Sequence, residues 1–268
     1  MPELPDVEIF RRVLERYARE RVMTAVEVRD PAMLVDVTPA AFARALAGDR
    51  LTGTRRHGKN LFAARGRGGH LWMHFGMTGS LEPFREEPPA HARVLFRFPQ
   101  SPHLAYVNVR RLGHLGLVED IEAWLAAEGI GPDALDPALT GEWFAEALGR
   151  GRRSVKAALM DQGLVAGIGN VYADEILFQA GLRPEVPVAA LDRGWRERLF
   201  TTMREVLRTA VDCGAAAERY VERLPDGYLT RRREKGAPCP RCGTPLETAR
   251  IGGRTSVFCP RCQIDPRR

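Results

Sequence analysis

The chain has 268 residues, 44% of them hydrophobic, so it can bury a sizeable core and is long enough for about two domains. Its formal charge of +6 favours an acidic partner, either nucleic acid or an anionic surface, with a merely basic soluble protein as the alternative. No secretory leader and no run of about 18 apolar residues occurs in the sequence, which argues against a transmembrane helix and predicts a soluble, intracellular protein.

The first residues offer a candidate nucleophile. If Met1 is removed, the chain begins with Pro2, and a free α-amine is partly neutral near neutral pH because its pKa is about 7.7–8.0. Such an amine can attack an aldehyde-like carbon to form an imine, and the neighbouring Glu3 is a candidate proton donor or acceptor. Apolar residues recur every three or four positions from Val7 and predict a helix. Because proline also suits a helix start, a purely structural role is the alternative.

The first half of the chain is predicted to be rich in β-structure. A short strand is expected at 25–29, and a helix opens at Thr38 with Phe42 and Leu46 on its apolar face. From Leu51 onward, short apolar runs separated by glycine turns predict a β-sandwich or barrel.

Several positions in this half are candidates for contact with DNA. Lys59 follows a basic run and could hold a phosphate, although solvated charge at a strand edge is the alternative. Met77, flanked by glycines at a predicted turn, could enter a base stack as an apolar wedge or simply pack against a strand. Arg110 and Arg111 are predicted to end a strand and to point to opposite faces, one towards phosphate and one towards a groove; alternatively, both are solvated.

The composition changes at 126–140, where glycines and prolines interrupt regular structure and predict a linker. This divides the chain into a domain over 1–125, a helical domain over 141–230 and a C-terminal module over 231–268. A basic loop at 149–153 leads into a helix with Lys156 in its first turn, an arrangement suited to phosphate. The glycine-punctuated stretch 163–170 joins two helices and predicts a helix–turn–helix variant that presents amides and Asn170 to a DNA backbone.

The C-terminal module contains a predicted metal site. Cys239 and Cys242 form one closely spaced pair, and Cys259 and Cys262 form a second pair sixteen residues later. This spacing fits a structural, tetrahedral zinc site on a β-hairpin, because four protein ligands leave no open position for catalysis. Reduced cysteines without metal are the alternative, but they would leave a short tail with almost no core. Cys213 stands apart and is interpreted as a buried or incidental thiol.

These motifs occur together in one family. The N-terminal Pro2-Glu3, the β-rich first half, the two-turn motif ending at Asn170 and the four-cysteine module closely resemble the bacterial formamidopyrimidine-DNA glycosylase and endonuclease VIII family. The stretches 1–8 and 74–81 are more similar to the formamidopyrimidine branch. The resemblance covers essentially the whole chain and implies a two-domain α+β fold. Its parts are an N-terminal β-sandwich with flanking helices and a C-terminal helix–two-turn–helix domain that ends in a zinc-ribbon β-hairpin.

The resemblance also implies an activity. Members of this family are bifunctional DNA glycosylase/AP lyases that excise oxidised bases, such as formamidopyrimidines and 8-oxoguanine, through a Schiff base on an N-terminal proline and cut the strand by β,δ-elimination. The implied partner is double-stranded DNA with damaged bases or abasic sites, bound by a monomer in the bacterial cytoplasm at the nucleoid. One structural zinc ion is the implied cofactor, without a redox or nucleotide cofactor.

Site residues are carried over by matching motifs. Pro2 matches the nucleophile, Glu3 the acid that assists base loss, and Arg254 the arginine that assists δ-elimination. Lys59 matches a lysine that contacts phosphate beside the lesion, and Lys156 aligns with a lysine near the lesion. The residues that fill the void left by the flipped nucleotide correspond to Met77, Arg110 and Leu112. Those that grip phosphates correspond to His91, Arg111, Arg152 and Asn170.

The sequence departs from the formamidopyrimidine branch in four places. Leu112 stands where that branch usually has phenylalanine, so the wedge is smaller and cannot stack. Asn108-Val109 replaces Asp-Pro, an extra Gly58 precedes Lys59, and the segment 213–230 is short where the branch has a loop over flipped 8-oxoguanine. An endonuclease VIII-like preference for oxidised pyrimidines therefore remains open. A non-catalytic binder of damaged DNA is the alternative of another class, although both Pro2 and Glu3 are present.

Overall fold

The computed structural model describes residues 1–149, 151–217 and 219–267. The chain forms two compact units, of which the first comprises Met1–Pro2 and Asp6–Glu128 and the second Glu3–Pro5 and Gly129–Arg268. The division after Glu128 falls inside the stretch 126–140 that the sequence predicts as a linker. Among the described residues, no helix combines the length and the apolar character needed to cross a membrane.

The first unit is built on two antiparallel four-stranded sheets. One sheet has the strand order β1-β6-β7-β5 and the other the order β2-β3-β4-β8. The strands are β1 (Ala25–Val28), β2 (Leu51–His57), β3 (Asn60–Arg65), β4 (His70–His74), β5 (Gly79–Phe84), β6 (Ala92–Arg97), β7 (His103–Asn108) and β8 (His114–Val118). The β-sandwich that the sequence predicts is therefore confirmed.

Helices flank these sheets and share their core. They are α1 (Leu4–Tyr17), α2 (Pro39–Leu46) and α3 (Ile121–Ala127). Thr38 begins α2 as predicted, because its hydroxyl accepts the N–H of Ala41 at 3.3 Å and satisfies an amide that the helix leaves unpaired. Apolar side chains of α1 and α2 join one core with side chains of both sheets, and the rings of Phe10 and Phe75 lie 4.5 Å apart.

The second unit is helical around one buried helix. Its helices are α4 (Gly141–Ala147), α5 (Val155–Leu159), α6 (Asn170–Ala180) and α7 (Arg193–Cys213). Helix α6 is buried on nearly all sides and ends at Gly181 in the left-handed conformation, with φ of +76°. Two adjacent acids, Asp174 and Glu175, are buried in this helix. Glu175 anchors a neighbouring turn by accepting the N–H of Thr230 at 2.7 Å and that of Leu229 at 3.2 Å.

A β-hairpin completes the second unit. Strands β9 (Glu247–Ile251) and β10 (Arg254–Phe258) pair antiparallel and are joined by Gly252 and Gly253. Both glycines have positive φ, +55° and +77°, as a tight two-residue hairpin turn requires. The hairpin packs onto α6 through a small apolar core that contains Phe178, Leu246 and Val257.

Candidate active site and DNA-contact residues

The N-terminus of helix α6 holds Glu3. The Oε2 atom of Glu3 accepts the N–H groups of Gly169 at 2.7 Å and Tyr172 at 3.1 Å, and its Oε1 atom accepts that of Val171 at 2.8 Å. These amides belong to the first turn of a helix, whose N–H groups have no partner within the helix. Because the side chain of Glu3 is also buried, its carboxylate is fixed in one position.

Two glycines make room for this arrangement. A Cβ atom at Gly169 would lie 2.5 Å from Cδ of Glu3, and one at Gly167 would lie 2.7 Å from Cδ1 of Leu4. Gly169 has an extended backbone that any residue can adopt, so it is glycine for reasons of space. The amides at 169, 171 and 172 thus face Glu3, whereas the sequence predicted that the stretch 163–170 presents its amides to a DNA backbone. That prediction was wrong for the amide at 169, because Glu3 accepts its N–H.

Pro2 directly precedes Glu3 in the chain. Adjacent Cα atoms of a trans peptide are about 3.8 Å apart, so Pro2 and Glu3 are covalent neighbours. Removal of Met1 would turn that nitrogen into a secondary amine. A nucleophilic amine and an oriented acid would then occupy adjacent positions, as covalent catalysis requires.

Lys59 lies in the turn between β2 and β3 and is mostly buried. The next residue, Asn60, pairs in register with His74 of β4, which in turn pairs with His114 of β8. Burial lowers the pKa of His74 to about 4, and the positive charges of His114 and Lys59 lower it further. Neutral His74 accepts the N–H of Gly76 at 3.3 Å through Nδ1. His74 was not among the predicted site residues, although it begins the motif 74–81.

The turn that carries Met77 is joined to the segment that carries Arg110 and Leu112. Thr78 Oγ1 accepts the N–H of Arg110 at 3.0 Å, and Asn108 Oδ1 accepts the N–H of Leu112 at 3.3 Å. A Cβ atom at Gly76 would overlap the carbonyl group of Leu112, and Gly76 has a φ of +59°. The two segments are therefore held together as one surface, on which Leu112 is 45% exposed.

Asn108 supports this surface through buried hydrogen bonds. It is fully buried, and its Nδ2 donates to the carbonyl oxygen of Phe75 and to the hydroxyl of Tyr106, both at 3.2 Å. Tyr106 in turn donates to the carbonyl oxygen of His74 at 2.6 Å. An amide can donate and accept at once, which an ionised carboxylate cannot do, so the Asn108 that departs from the family pattern has a structural reason here.

Arg111 and His91 lie beside this surface in the left-handed conformation, with φ of +56° and +60°. Strand β7 ends at Asn108, so the prediction that Arg110 and Arg111 end a strand and point to opposite faces was wrong. The guanidinium of Arg111 pairs with Asp30 through Nε at 2.7 Å and Nη2 at 3.0 Å. The conformation of His91 is supported by its carbonyl oxygen, which accepts the N–H of Asn108 at 3.1 Å.

The remaining predicted contacts lie in the second unit. Arg152 is exposed just before α5, while Arg150 of the same basic loop lies outside the described residues. The ammonium of Lys156 is fully buried and 2.7 Å from Oδ1 of Asp174, so a phosphate contact would require this ion pair to open. Burial lowers the pKa of Lys156, and the negative charge of Asp174 opposes that shift.

Asn170 is hydrogen-bonded to the residue that follows Arg254. Asn170 begins α6, and its Nδ2 donates to the carbonyl oxygen of Thr255 at 3.1 Å. Arg254 is exposed at the start of β10 and immediately precedes Thr255. The second unit therefore brings together Glu3, Asn170 and the strand that carries Arg254.

The four paired cysteines form a metal site. The sulfur atoms of Cys239 and Cys262 are 3.9 Å apart, those of Cys242 and Cys259 are 3.6 Å apart, and all four lie within 4.8 Å of one another. A tetrahedral zinc ion with Zn–S bonds of about 2.3 Å requires sulfur–sulfur distances of about 3.8 Å. The geometry fits, so the predicted structural zinc site is confirmed.

Three family models match the chain. The formamidopyrimidine-DNA glycosylase N-terminal domain matches residues 1–115, and the formamidopyrimidine-DNA glycosylase H2TH domain matches residues 130–221. The zinc finger found in FPG and IleRS matches residues 236–264, which include all four cysteines.

Curated relatives and solved structures agree with these matches. The chain is 39% identical over 260 residues to the formamidopyrimidine-DNA glycosylase of Moorella thermoacetica, covering 93% of this chain and 95% of the relative. It is 37% identical over 276 residues to that of Thermus thermophilus, covering 98% of both. The structure of the Lactococcus lactis enzyme bound non-covalently to DNA with an AP site matches with a TM-score of 0.87 and 29% identity, covering 97% of this chain and 99% of that one. The wild-type Lactococcus lactis enzyme in complex with DNA containing N7-benzyl-Fapy-dG matches with a TM-score of 0.88 and 28% identity, covering 98% and 99%.

Proposed function

The chain belongs to the formamidopyrimidine-DNA glycosylase family of DNA glycosylase/AP lyases, and we propose that it excises formamidopyrimidines and 8-oxoguanine from double-stranded DNA. The Lactococcus lactis structures contain abasic-site DNA and, in complexes of the wild-type enzyme and of a mutant, N7-benzyl-Fapy-dG DNA and Fapy-dG DNA, which supports the same substrates here. The proposed enzyme acts as a monomer on the bacterial chromosome, at the nucleoid.

The fixed carboxylate of Glu3 is the observation that carries this proposal. Three amides hold it at the start of α6, one residue away from the nitrogen of Pro2. In the proposed first step this nitrogen attacks C1′ of the damaged nucleotide, and the glycosidic bond breaks. The base leaves with the bonding electrons and takes up a proton, and Glu3 assists that proton transfer.

The strand is then cut by elimination. The sugar ring then opens: the C1′–O4′ bond breaks, O4′ takes up a proton, and the nitrogen lone pair of Pro2 forms the iminium ion to C1′. This iminium ion makes the C2′ proton acidic, and loss of that proton expels the 3′ phosphate. A second elimination expels the 5′ phosphate, with Arg254 assisting, and hydrolysis of the imine frees Pro2. All these steps use groups of the chain and the substrate, while the zinc site holds the hairpin that carries Arg254.

The site residues divide into two groups of proposed DNA contacts. We assign the void left by the flipped nucleotide to Met77, Arg110 and Leu112, which the structure joins into one surface. The proposed phosphate contacts are made by Lys59, His91, Arg111, Arg152, Lys156 and Asn170. Of these, Arg111 and Lys156 would have to exchange an internal carboxylate for a phosphate.

A cavity of about 570 Å³ in the second unit is the proposed place for the flipped base. Its wall includes Val171, whose N–H binds Glu3, together with Thr230 and the consecutive arginines Arg231 and Arg232. A preference for oxidised pyrimidines is the second candidate, because the exposed Leu112 is too small to stack on the opposite strand as an aromatic residue would.

Reduction of the imine tests the proposed chemistry. Borohydride should trap a covalent adduct between the purified protein and a duplex with an abasic site, and mass spectrometry should show that Met1 is absent. Failure to form the adduct with protein that starts at Pro2 would contradict the covalent mechanism. Pro2→Gly replaces the secondary amine with a primary amine, which can still form an imine, so this matched control should retain some trapping, whereas an acetylated terminus should retain none.

A panel of lesions distinguishes the two candidate substrate classes. Single-turnover excision from matched duplexes should be faster for formamidopyrimidine and 8-oxoguanine than for thymine glycol. The reverse order would assign the chain a pyrimidine preference without affecting the imine chemistry.

A further inference from the structure

Five donor atoms from three segments of the second unit converge on the carboxylate of Asp174. Its Oδ1 atom lies 2.7 Å from Nζ of Lys156 and accepts the hydroxyl of Ser256 at 2.5 Å. Its Oδ2 atom accepts the N–H of Val257 at 3.0 Å and pairs with Nε and Nη2 of Arg233 at 2.9 and 2.6 Å. The carboxylate is 0% exposed, so every one of these bonds lies away from bulk solvent.

The carbonyl oxygen of Thr255, in strand β10, is a second acceptor shared by several side chains. It accepts from Nδ2 of Asn170 at 3.1 Å, from Nη2 of Arg233 at 3.2 Å and from Nζ of Lys156 at 3.4 Å. Lys156 and Arg233 therefore each bind both the carboxylate and this carbonyl. Strand β10 is fixed to α5, to α6 and to the segment before the hairpin over three consecutive residues, 255–257.

A two-stranded hairpin is marginally stable by itself and does not keep its own orientation. Here β10 pairs only with β9 among the described strands, so its position on α6 depends on side-chain bonds and the small apolar core. Arg254 immediately precedes the anchored residues. Because a strand rises about 3.3 Å per residue, its Cα lies within about 7 Å of that of Ser256.

We propose that Asp174 is a positioning residue for the second elimination step. It fixes β10 so that the guanidinium of Arg254 faces the 5′ phosphate of the imine intermediate. The buried Lys156 strengthens this anchoring because it binds both Asp174 and the carbonyl oxygen of Thr255. This inference rests on the proposed function, since it assumes that Arg254 assists δ-elimination. Asp174 itself touches neither the substrate nor the reacting atoms.

A purely structural role for Asp174 predicts different kinetics. If the carboxylate only stabilised the fold, its loss would reduce base excision, β-elimination and δ-elimination together. If it positions Arg254, the loss falls mainly on δ-elimination, because Pro2 and Glu3 are held by other bonds. The ratio of the two elimination products separates these cases.

The test uses full-length, zinc-loaded Asp174→Asn on a duplex with a preformed abasic site. The δ/β product ratio should fall at least tenfold, while borohydride trapping falls less than threefold. Because the single variant leaves the buried Lys156 without its counter-ion, the double variant Lys156→Met with Asp174→Leu is made in parallel. That replacement removes the charges of Lys156 and Asp174 together, while Arg233, whose side chain is 19% exposed, stays charged.

Glu175→Gln is the matched control. It removes a neighbouring buried charge on α6 but leaves all contacts to β10 in place, so its δ/β ratio should equal that of the wild type. An unchanged ratio in both folded, zinc-containing Asp174 variants would overturn the proposal, as would an equal fall in trapping and both eliminations. If instead the wild-type protein neither forms the adduct nor cuts the strand, the proposed function itself fails.

Discussion

Replacing Gly169 by alanine should displace the carboxylate of Glu3 without straining the backbone. The new Cβ would lie 2.5 Å from Cδ and 2.6 Å from Oε1 of Glu3. Ordinary van der Waals contact begins at 3.4 Å, so the carboxylate must move by about 3.4 − 2.5 = 0.9 Å. The extended conformation at 169 is open to alanine, so the effect is confined to this contact.

Two independent estimates give similar magnitudes for the loss of activity. A misplacement of about 1 Å at a reacting centre costs roughly 100-fold in rate. Losing one of the three amide bonds to the carboxylate costs about 1.5–3 kcal/mol, which corresponds to roughly 10- to 150-fold. We therefore expect single-turnover base excision by Gly169→Ala to be slower by roughly 100-fold.

The assay compares excision of a damaged base with imine trapping on a preformed abasic site. Trapping should fall less than excision, because the base has already left in the abasic substrate. Gly53→Ala is the control for the same substitution, since a Cβ there meets no atom within 4 Å. Excision by a folded Gly169→Ala protein within twofold of the wild-type rate would refute the assignment of Glu3.

Three further predictions follow from other parts of the molecule. Chelation of zinc, or Cys259→Ser, should unfold the hairpin module and abolish DNA binding while near-UV circular dichroism still reports a folded first unit; undiminished affinity would contradict this. The pKa of His74 is lowered from 6.5 to about 4, so its contribution to stability is complete above pH 6.5 and is lost as the pH falls towards 4. Between pH 8 and pH 5, urea titrations should show that the wild type loses about 2 kcal/mol more unfolding free energy than His74→Gln does. Equal losses in the two proteins would refute this role of His74. Gly76→Ala should lower affinity for abasic-site DNA at least tenfold, because alanine there both disfavours the positive φ and overlaps the carbonyl group of Leu112; binding of wild-type strength would show that this surface is not used.

Much of the fold was predictable because local patterns determine it. The cap at Thr38, the apolar spacing of α1 and the glycine turns between strands act over a few residues, so the sequence displays them directly. The zinc site was predictable for the same reason, since metal coordination constrains the cysteine spacing. Local chemistry marked Pro2 and Glu3 as candidates, and the family resemblance then favoured that interpretation over an ordinary helix start.

Long-range hydrogen bonds could not be predicted from such local patterns. Glu3 and Gly169 are separated by 166 positions, and neither residue's local context shows that one must be small for the other to fit. Arg111 was misplaced because strand β7 ends two residues before Arg110 and the chain turns through a left-handed conformation. The buried Asn108 appeared only as a departure from a family pattern, and its three partners became visible only in three dimensions.

The buried carboxylate of Asp174 contributes to stability as well as to the position of β10. An ion pair taken out of water is often no more stabilising than apolar residues of similar volume, because desolvation offsets the Coulomb attraction. The pair between Lys156 and Asp174 is 0% exposed on both sides, so losing that pair alone would cost little stability. The double replacement by methionine and leucine also leaves the N–H of Val257, the hydroxyl of Ser256 and the guanidinium of Arg233 without their acceptor, so it should lower the melting temperature. The same replacement removes the bonds that fix residues 255–257 of β10. A folded, zinc-containing double variant that still traps the imine but fails at the second elimination, together with the same failure in Asp174→Asn, which keeps Lys156, would show that this carboxylate orients the strand as well as holding the fold together.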